Sequence, residues 1–86
     1  MDIGVEISLY PLKADYVPAV HDFLGRLSRQ PGLKLVTNSM STQVFGGFDE
    51  VMEALRSALA ASLAGMVADS ARAVFVMKVI GPLPSA

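Results

Sequence analysis

The chain predicts an α+β domain whose strands and helices follow the order βαββαβ. Three observations carry this expectation: strict two-residue alternation near the start, an almost wholly apolar run near the end, and two stretches between them whose apolar residues recur at helical spacing. A chain of 86 residues has room for one hydrophobic core, so residues 1–86 are expected to form a single domain.

The elements follow in order. Over residues 3–10, Val5, Ile7 and Leu9 point one way while Glu6, Ser8 and Tyr10 point the other, which is the signature of a strand with one buried face. Pro11 has no N–H to offer a ladder and is expected to end it. Asp15 then stands where an N-cap accepts from free amides, with Pro18 in the tolerated first turn, so a helix is expected over residues 16–28. Val17, Val20, Leu24 and Leu27 form its apolar stripe; Asp22, Arg26 and Arg29 face solvent. Pro31-Gly32 stops it.

Two extended runs follow, over residues 33–40 and 41–46, and they must turn on each other near residues 38–41 although neither Asn-Gly nor Asp-Gly is present. Gly46-Gly47 closes the third strand. A second helix is expected over residues 49–64, with Asp49 and Glu50 favouring its positive N-terminal end. Its stripe is Val51, Met52, Leu55, Ala58, Leu59, Ser62 and Leu63, and Gly65 marks the approach to its C-terminus. The last strand, residues 73–80, carries Lys78 as its one charge, which predicts cover on both faces. Gly81-Pro82 is expected to terminate it, leaving the Pro-Ser-Ala tail frayed.

This order is that of a ferredoxin-like sandwich, a four-stranded antiparallel sheet with two helices on one face. The other face is then bare within one subunit. The last strand nevertheless presents Val74, Val76 and Ile80 on one side and Phe75, Met77 and Val79 on the other. Hydrophobic residues make up 52% of the chain and charged ones 17%, against the roughly 25% charged of an ordinary soluble domain. The surplus predicts a homo-oligomer, dimer or tetramer, that meets through sheet faces or edges.

Composition also excludes function classes. Seven Lys and Arg against eight Asp and Glu give a formal charge of −1 with no basic run, so no nucleic acid partner is expected. The absence of cysteine removes disulfides, thiolate metal sites and thiol nucleophiles. The N-terminal residues lack the basic segment, apolar run and small-residue site of a secretory signal. Asp49, Glu50, Glu53 and Arg56 interrupt the longest helical candidate, which argues against the ~20 mostly apolar residues of a membrane span. A cytoplasmic protein with no membrane partner is expected.

At Ser8-Leu9-Tyr10-Pro11-Leu12, then Tyr16, then Met40-Ser41-Thr42 with Gly46 closing the strand, the chain resembles the YkoF-like family of thiamine- and hydroxymethylpyrimidine-binding proteins. Asp49-Glu50-Val51 and Glu53-Ala54-Leu55-Arg56, following Gly47, are similar to that family's pattern too, so the resemblance covers nearly the whole chain. It implies a single-domain member, an oligomer assembled by sheet pairing, and noncovalent binding of a thiamine-like molecule or its pyrimidine moiety. The implied role is thiamine handling or salvage, without established catalysis. One departure stands out: where the family often has Gly-Pro before Met-Ser/Thr-Thr, this chain has Asn38-Ser39, which alters the turn and adds side chains near the implied pocket.

The candidate ligand-binding residues are Glu6, Ser8, Tyr10, Asn38 and Thr42. Strand alternation puts the first three on one face, with Glu6 as acceptor or counter-charge for a cationic heterocycle and Tyr10 as a stacking ring. Asn38, Ser41, Thr42 and Gln43 offer donors and acceptors suited to the amino and ring nitrogens of an aminopyrimidine, or else they build the hairpin turn. Alternation lets at most half of them share one pocket; the family motif, ending on Thr42, favours that residue. A polar edge or an intersubunit hydrogen-bond network is the plainer reading of Glu6, Ser8 and Tyr10.

His21 is the only histidine and lies beside an apolar stripe, without the second His or Cys that a zinc site needs. Gly46-Gly47 precedes a helix but lacks the Lys-Ser/Thr of a phosphate-binding loop. Only Glu6 and the distant His21 can be nominated for acid–base work, so no catalytic residue, no metal, no cofactor and no enzymatic activity are expected. Two readings result. One is a ligand-binding module in which Glu6, Ser8 and Thr42 orient a ring. The other is a structural or regulatory oligomerisation domain with no dedicated ligand.

Overall fold

The computed structural model describes residues 1–84, so the frayed end expected at Ser85 and Ala86 lies outside the described residues. Six elements follow the expected order: β1 Asp2–Leu12, α1 Val17–Ser28, β2 Lys34–Thr37, β3 Thr42–Gly47, α2 Phe48–Ala68 and β4 Arg72–Leu83. The strands form one antiparallel sheet in the order β2-β3-β1-β4, with β1 and β3 central. This is the ferredoxin-like arrangement.

Register explains the layering. Directly opposed residues of an antiparallel pair share a face. Val5 is opposed to Val44 and Val79, and Ile7 to Thr42 and Met77, so these positions all lie on the side that receives the helices. Ile3, Val5, Ile7 and Val44 meet Phe23 and Leu27 of α1 and Val51, Ala54, Leu55 and Ala58 of α2 in one core. Phe23 lies outside the stripe expected for α1, yet it is 2% exposed and its ring tilts against Phe75 at 5.3 Å between centroids. Val17, placed in that stripe, is 48% exposed. The buried side of α1 is therefore turned toward Phe23 and Leu27, with Val20 and Leu24 half-buried.

Several boundaries differ from expectation for physical reasons. β1 runs through Pro11 to Leu12 rather than stopping, because β3 pairs with β1 only as far as Ile7 and the missing N–H then falls where β1 has one free side. β4 likewise passes Gly81-Pro82 and reaches Leu83, since it is an edge strand. A Cβ at Gly81 would stand 2.8 Å from Cγ2 of Ile3, so glycine there lets β4 close on β1. Asp15 does not cap α1: the N-cap is Tyr16, without a side-chain hydrogen bond. β2 ends at Thr37, and residues 38–41 form the turn itself.

α2 continues four residues past its expected end, through Gly65, and buries Val51, Ala54, Leu55, Ala58, Ser62 and Met66. Met52 and Leu63, expected in its stripe, are exposed, so its buried side is rotated toward Ala54 and Met66. It is 21 residues long and contains an 18-residue stretch with a mean hydropathy of 1.4, so by length and composition alone it could span a membrane, where the charges at its start had argued against that. Its packing on the sheet makes it a core helix.

Candidate functional site

The site follows from a mismatch in strand length. β1 is eleven residues long and β3 six, and their pairing ends at Ile7 opposite Thr42. Beyond it, Ser8, Leu9 and Tyr10 remain paired to β4 but have no strand on the β3 side. A strand edge of this kind presents backbone N–H and C=O groups. The hairpin tip, residues 38–41, stands across the gap, and α1 closes it from one side.

The result is a hollow of about 220 Å³ lined by β1 from Ile7 to Tyr10, by Val20, Phe23 and Leu24 of α1, and by residues 37–42. Apolar side chains from the helix make its floor, and hydroxyl and amide groups from the hairpin make its rim. A lined apolar hollow with a few converging polar groups is the ordinary form of a small-molecule site.

Four of the five nominated residues, Ser8, Tyr10, Asn38 and Thr42, come together here. Their roles are not those expected from alternation. Thr42 faces the helix side with Ile7, is 6% exposed, and its hydroxyl shares a 3.3 Å hydrogen bond with that of Thr37. Thr42 thus lines the hollow from the helix side, on the sheet face opposite to Glu6. Asn38 is committed to the turn: its Oδ1 accepts from the backbone N–H of Met40 at 2.8 Å and of Ser41 at 3.1 Å, while its own N–H donates to the Ser41 carbonyl. This Asx-type closure is what replaces the missing Asn-Gly or Asp-Gly.

Glu6 stands apart. It is opposed to Gln43 and Lys78 on the open face of the sheet and does not line the hollow. It lines a second depression of about 310 Å³, with Gly4, Gln43, Phe45, Lys78 and Ile80. Gly4 is required there because a Cβ would fall 2.8 Å from the Phe45 ring. Ser41, whose hydroxyl donates to Glu6 Oε2 at 3.1 Å, connects the two places.

Leu9, Val20, Phe23, Leu24 and Thr37 also line the hollow and were not among the nominated residues. Val20 and Leu24 were legible as an apolar stripe, but only the early end of β3 turns that stripe into a floor. His21 is exposed on α1 and lines none of the hollows described.

The open face is the other conspicuous surface. Tyr10, Val74, Val76 and Ile80 are opposed across β1 and β4 on that face and are 55%, 44%, 49% and 63% exposed. On the helix side of β4, Met77 and Val79 are 45% and 60% exposed. Of the cover expected on both faces of β4, the chain's own helices supply only that over Phe75.

No protein-family model matches the chain, and no curated protein matches it. Solved structures do. Over 99% of this chain and 84% of the other, it is similar to a hypothetical protein of Methanocaldococcus jannascii, with a TM-score of 0.79 and 24% identity. Protein SP2199 of Streptococcus pneumoniae matches over 96% of this chain and 89% of its own, with a TM-score of 0.81 and 24% identity. A candidate thiamine biosynthesis/salvage protein of Thermotoga maritima matches with a TM-score of 0.73 and 20% identity, over 95% and 85% of the two chains. At these identities the likeness establishes the shared fold.

Proposed function

We propose that this chain is a non-catalytic small-molecule binding protein whose hollow beside Ser8–Tyr10 takes the aminopyrimidine ring of a thiamine-type molecule, in thiamine handling or salvage. The observation that carries the reading is the convergence of a free strand edge, hydroxyl groups and an apolar floor on one cavity. An aminopyrimidine has donors and acceptors along one edge and two apolar faces, and a free strand edge offers N–H and C=O groups in the same plane. Tyr10 supplies a ring at the mouth for stacking. The likeness to the Thermotoga maritima thiamine biosynthesis/salvage candidate supports the ligand class.

Size narrows the choice. Pockets for drug-sized ligands have volumes of roughly 300–1,000 Å³, and this hollow of about 220 Å³ suits one substituted ring. The pyrimidine moiety would be held, with any thiazolium portion projecting past Tyr10 and Met40. Titration calorimetry with hydroxymethylpyrimidine and with thiamine tests this. Saturable binding of the pyrimidine alone, weakened by Tyr10→Ala, is the expected result; no heat and no thermal stabilisation from either compound overturns it.

The exposed apolar face of β1 and β4 favours a second property in the same protein, self-association through the sheet. A structural or regulatory oligomerisation domain without a ligand is the alternative reading. Assembly lost in Val76→Lys with pyrimidine binding intact separates the two.

A further inference from the structure

We infer that Glu6 is a positioning residue for the hollow: from outside the cavity its carboxylate holds the hairpin tip where it forms the cavity's wall. The inference rests on the reading of that hollow as the ligand site.

The tip is stitched to itself. Asn38 Oδ1 gathers the Met40 and Ser41 amides, the Asn38 N–H reaches the Ser41 carbonyl, and the Thr37 and Thr42 hydroxyls meet at the base. All of these bonds lie within residues 37–42, so they make the tip rigid without fixing it to the rest of the domain. Its position relative to β1 and α1 decides the width of the hollow, because Asn38, Ser39, Met40 and Ser41 line one side of it and Ser8 to Tyr10 another. β3 ladder bonds fix only the base of the tip, since pairing with β1 stops at Thr42 and does not extend to residues 38–41.

Among the described residues, one side-chain hydrogen bond joins the tip to another element: Ser41 Oγ to Glu6 Oε2, at 3.1 Å and across 35 positions of sequence. The acceptor is a carboxylate, and hydrogen bonds to an ionised acceptor are stronger than neutral ones. Among the described residues no competing side-chain bond occupies it. Lys78 is opposed to Glu6 in the register, but none of the ion pairs among the described residues includes Glu6. Glu6 therefore stands on the open face, half-buried, with Ser41 as its side-chain partner.

Four variants test it by two readouts. In ligand-free protein, Glu6→Ala and Ser41→Ala should each raise the backbone mobility of residues 38–41 in ¹⁵N relaxation, leaving the β1 and β4 amides unchanged. With hydroxymethylpyrimidine as the probe, each should weaken binding about tenfold, as expected for one charge-assisted bond. The double variant should be no worse than either single one, because both remove the same interaction. Glu6→Gln keeps an acceptor and should recover most of the affinity and the order of the tip.

If Glu6→Ala weakens binding while Ser41→Ala does not, and the tip stays ordered in both, Glu6 meets the ligand directly and the inference is overturned. A tip that stays ordered in both variants overturns it whatever the binding result. If the wild-type protein binds no pyrimidine, the proposed ligand fails, and the relaxation readout alone still decides whether Glu6 holds the tip.

Discussion

The two faces of β1 end up in opposite conditions although they are built from alternate residues of one strand. Ile3, Val5 and Ile7 are 3%, 1% and 2% exposed beneath the helices, while Tyr10 on the other face is 55% exposed. The helix side is closed by contacts made within the chain. Among the described residues nothing closes the open side, and yet Val74, Val76 and Ile80 make it apolar. Burial of apolar surface stabilises either face by the same physics, so the difference marks where the molecule completes itself and where it is suited to meet something else.

Substitutions on the two sides should therefore separate cleanly. The largest effect is expected from Phe23→Ala, which empties the centre of the core and removes the ring beside Phe75: a loss of about 3–5 kcal/mol by urea denaturation. A loss below about 1 kcal/mol would mean that α1 is not closed on the sheet as described.

Thr42→Val comes next, because it stays on the helix side but removes only the hydroxyl bonded to Thr37. It should cost about 1 kcal/mol in the same measurement, and by loosening the base of the tip it should also weaken pyrimidine binding. Unchanged binding would mean that Thr42 serves the core alone.

Val76→Lys, on the open face, should leave the stability of the isolated chain within about 0.5 kcal/mol while shifting sedimentation toward the monomer. A large loss of stability with no change in sedimentation would erase the contrast between the faces.

The smallest effect belongs to the fully exposed Glu53–Arg56 pair on α2. The hydrogen bond that Arg56 donates holds the Glu53 carboxyl below its ordinary value, with desolvation opposing it and the guanidinium charge aiding it. A depressed carboxyl pKa contributes stability above the unfolded value and loses it as pH falls through the folded one. In an NMR titration Glu53 should titrate below the usual glutamate value and return to it in Arg56→Gln, with no measurable change in thermal stability at neutral pH.

Much of the fold was legible because period encodes facing. Alternation over residues 3–10 placed Val5 and Ile7 inward and Glu6, Ser8 and Tyr10 outward, and the βαββαβ order follows from where the period changes from two to 3.6. Helix faces were less legible: Phe23 and Met66 were missed, and Val17 and Leu63 wrongly placed, because several apolar residues compete for one stripe and only the partner surface chooses among them. Pro11 and Pro82 read as strand ends because the sequence does not reveal that each falls where its strand has a free side.

The nominated residues show the same division. Their chemistry was readable, but the separation of Glu6 from Ser8, Asn38 and Thr42 was not, since it depends on where β3 stops.

By itself, then, the sequence determined the element order, the inward and outward sets of β1, and the polarity of the hairpin tip, because these depend on neighbours a few residues away. Only the tertiary structure decided that β1 outruns β3 by the length of a ring-sized gap, that α1 provides its floor, and that Glu6 reaches Ser41, the diagonal neighbour of its partner Gln43. Register and strand length are set by packing among segments far apart in the chain, and no local pattern carries that information.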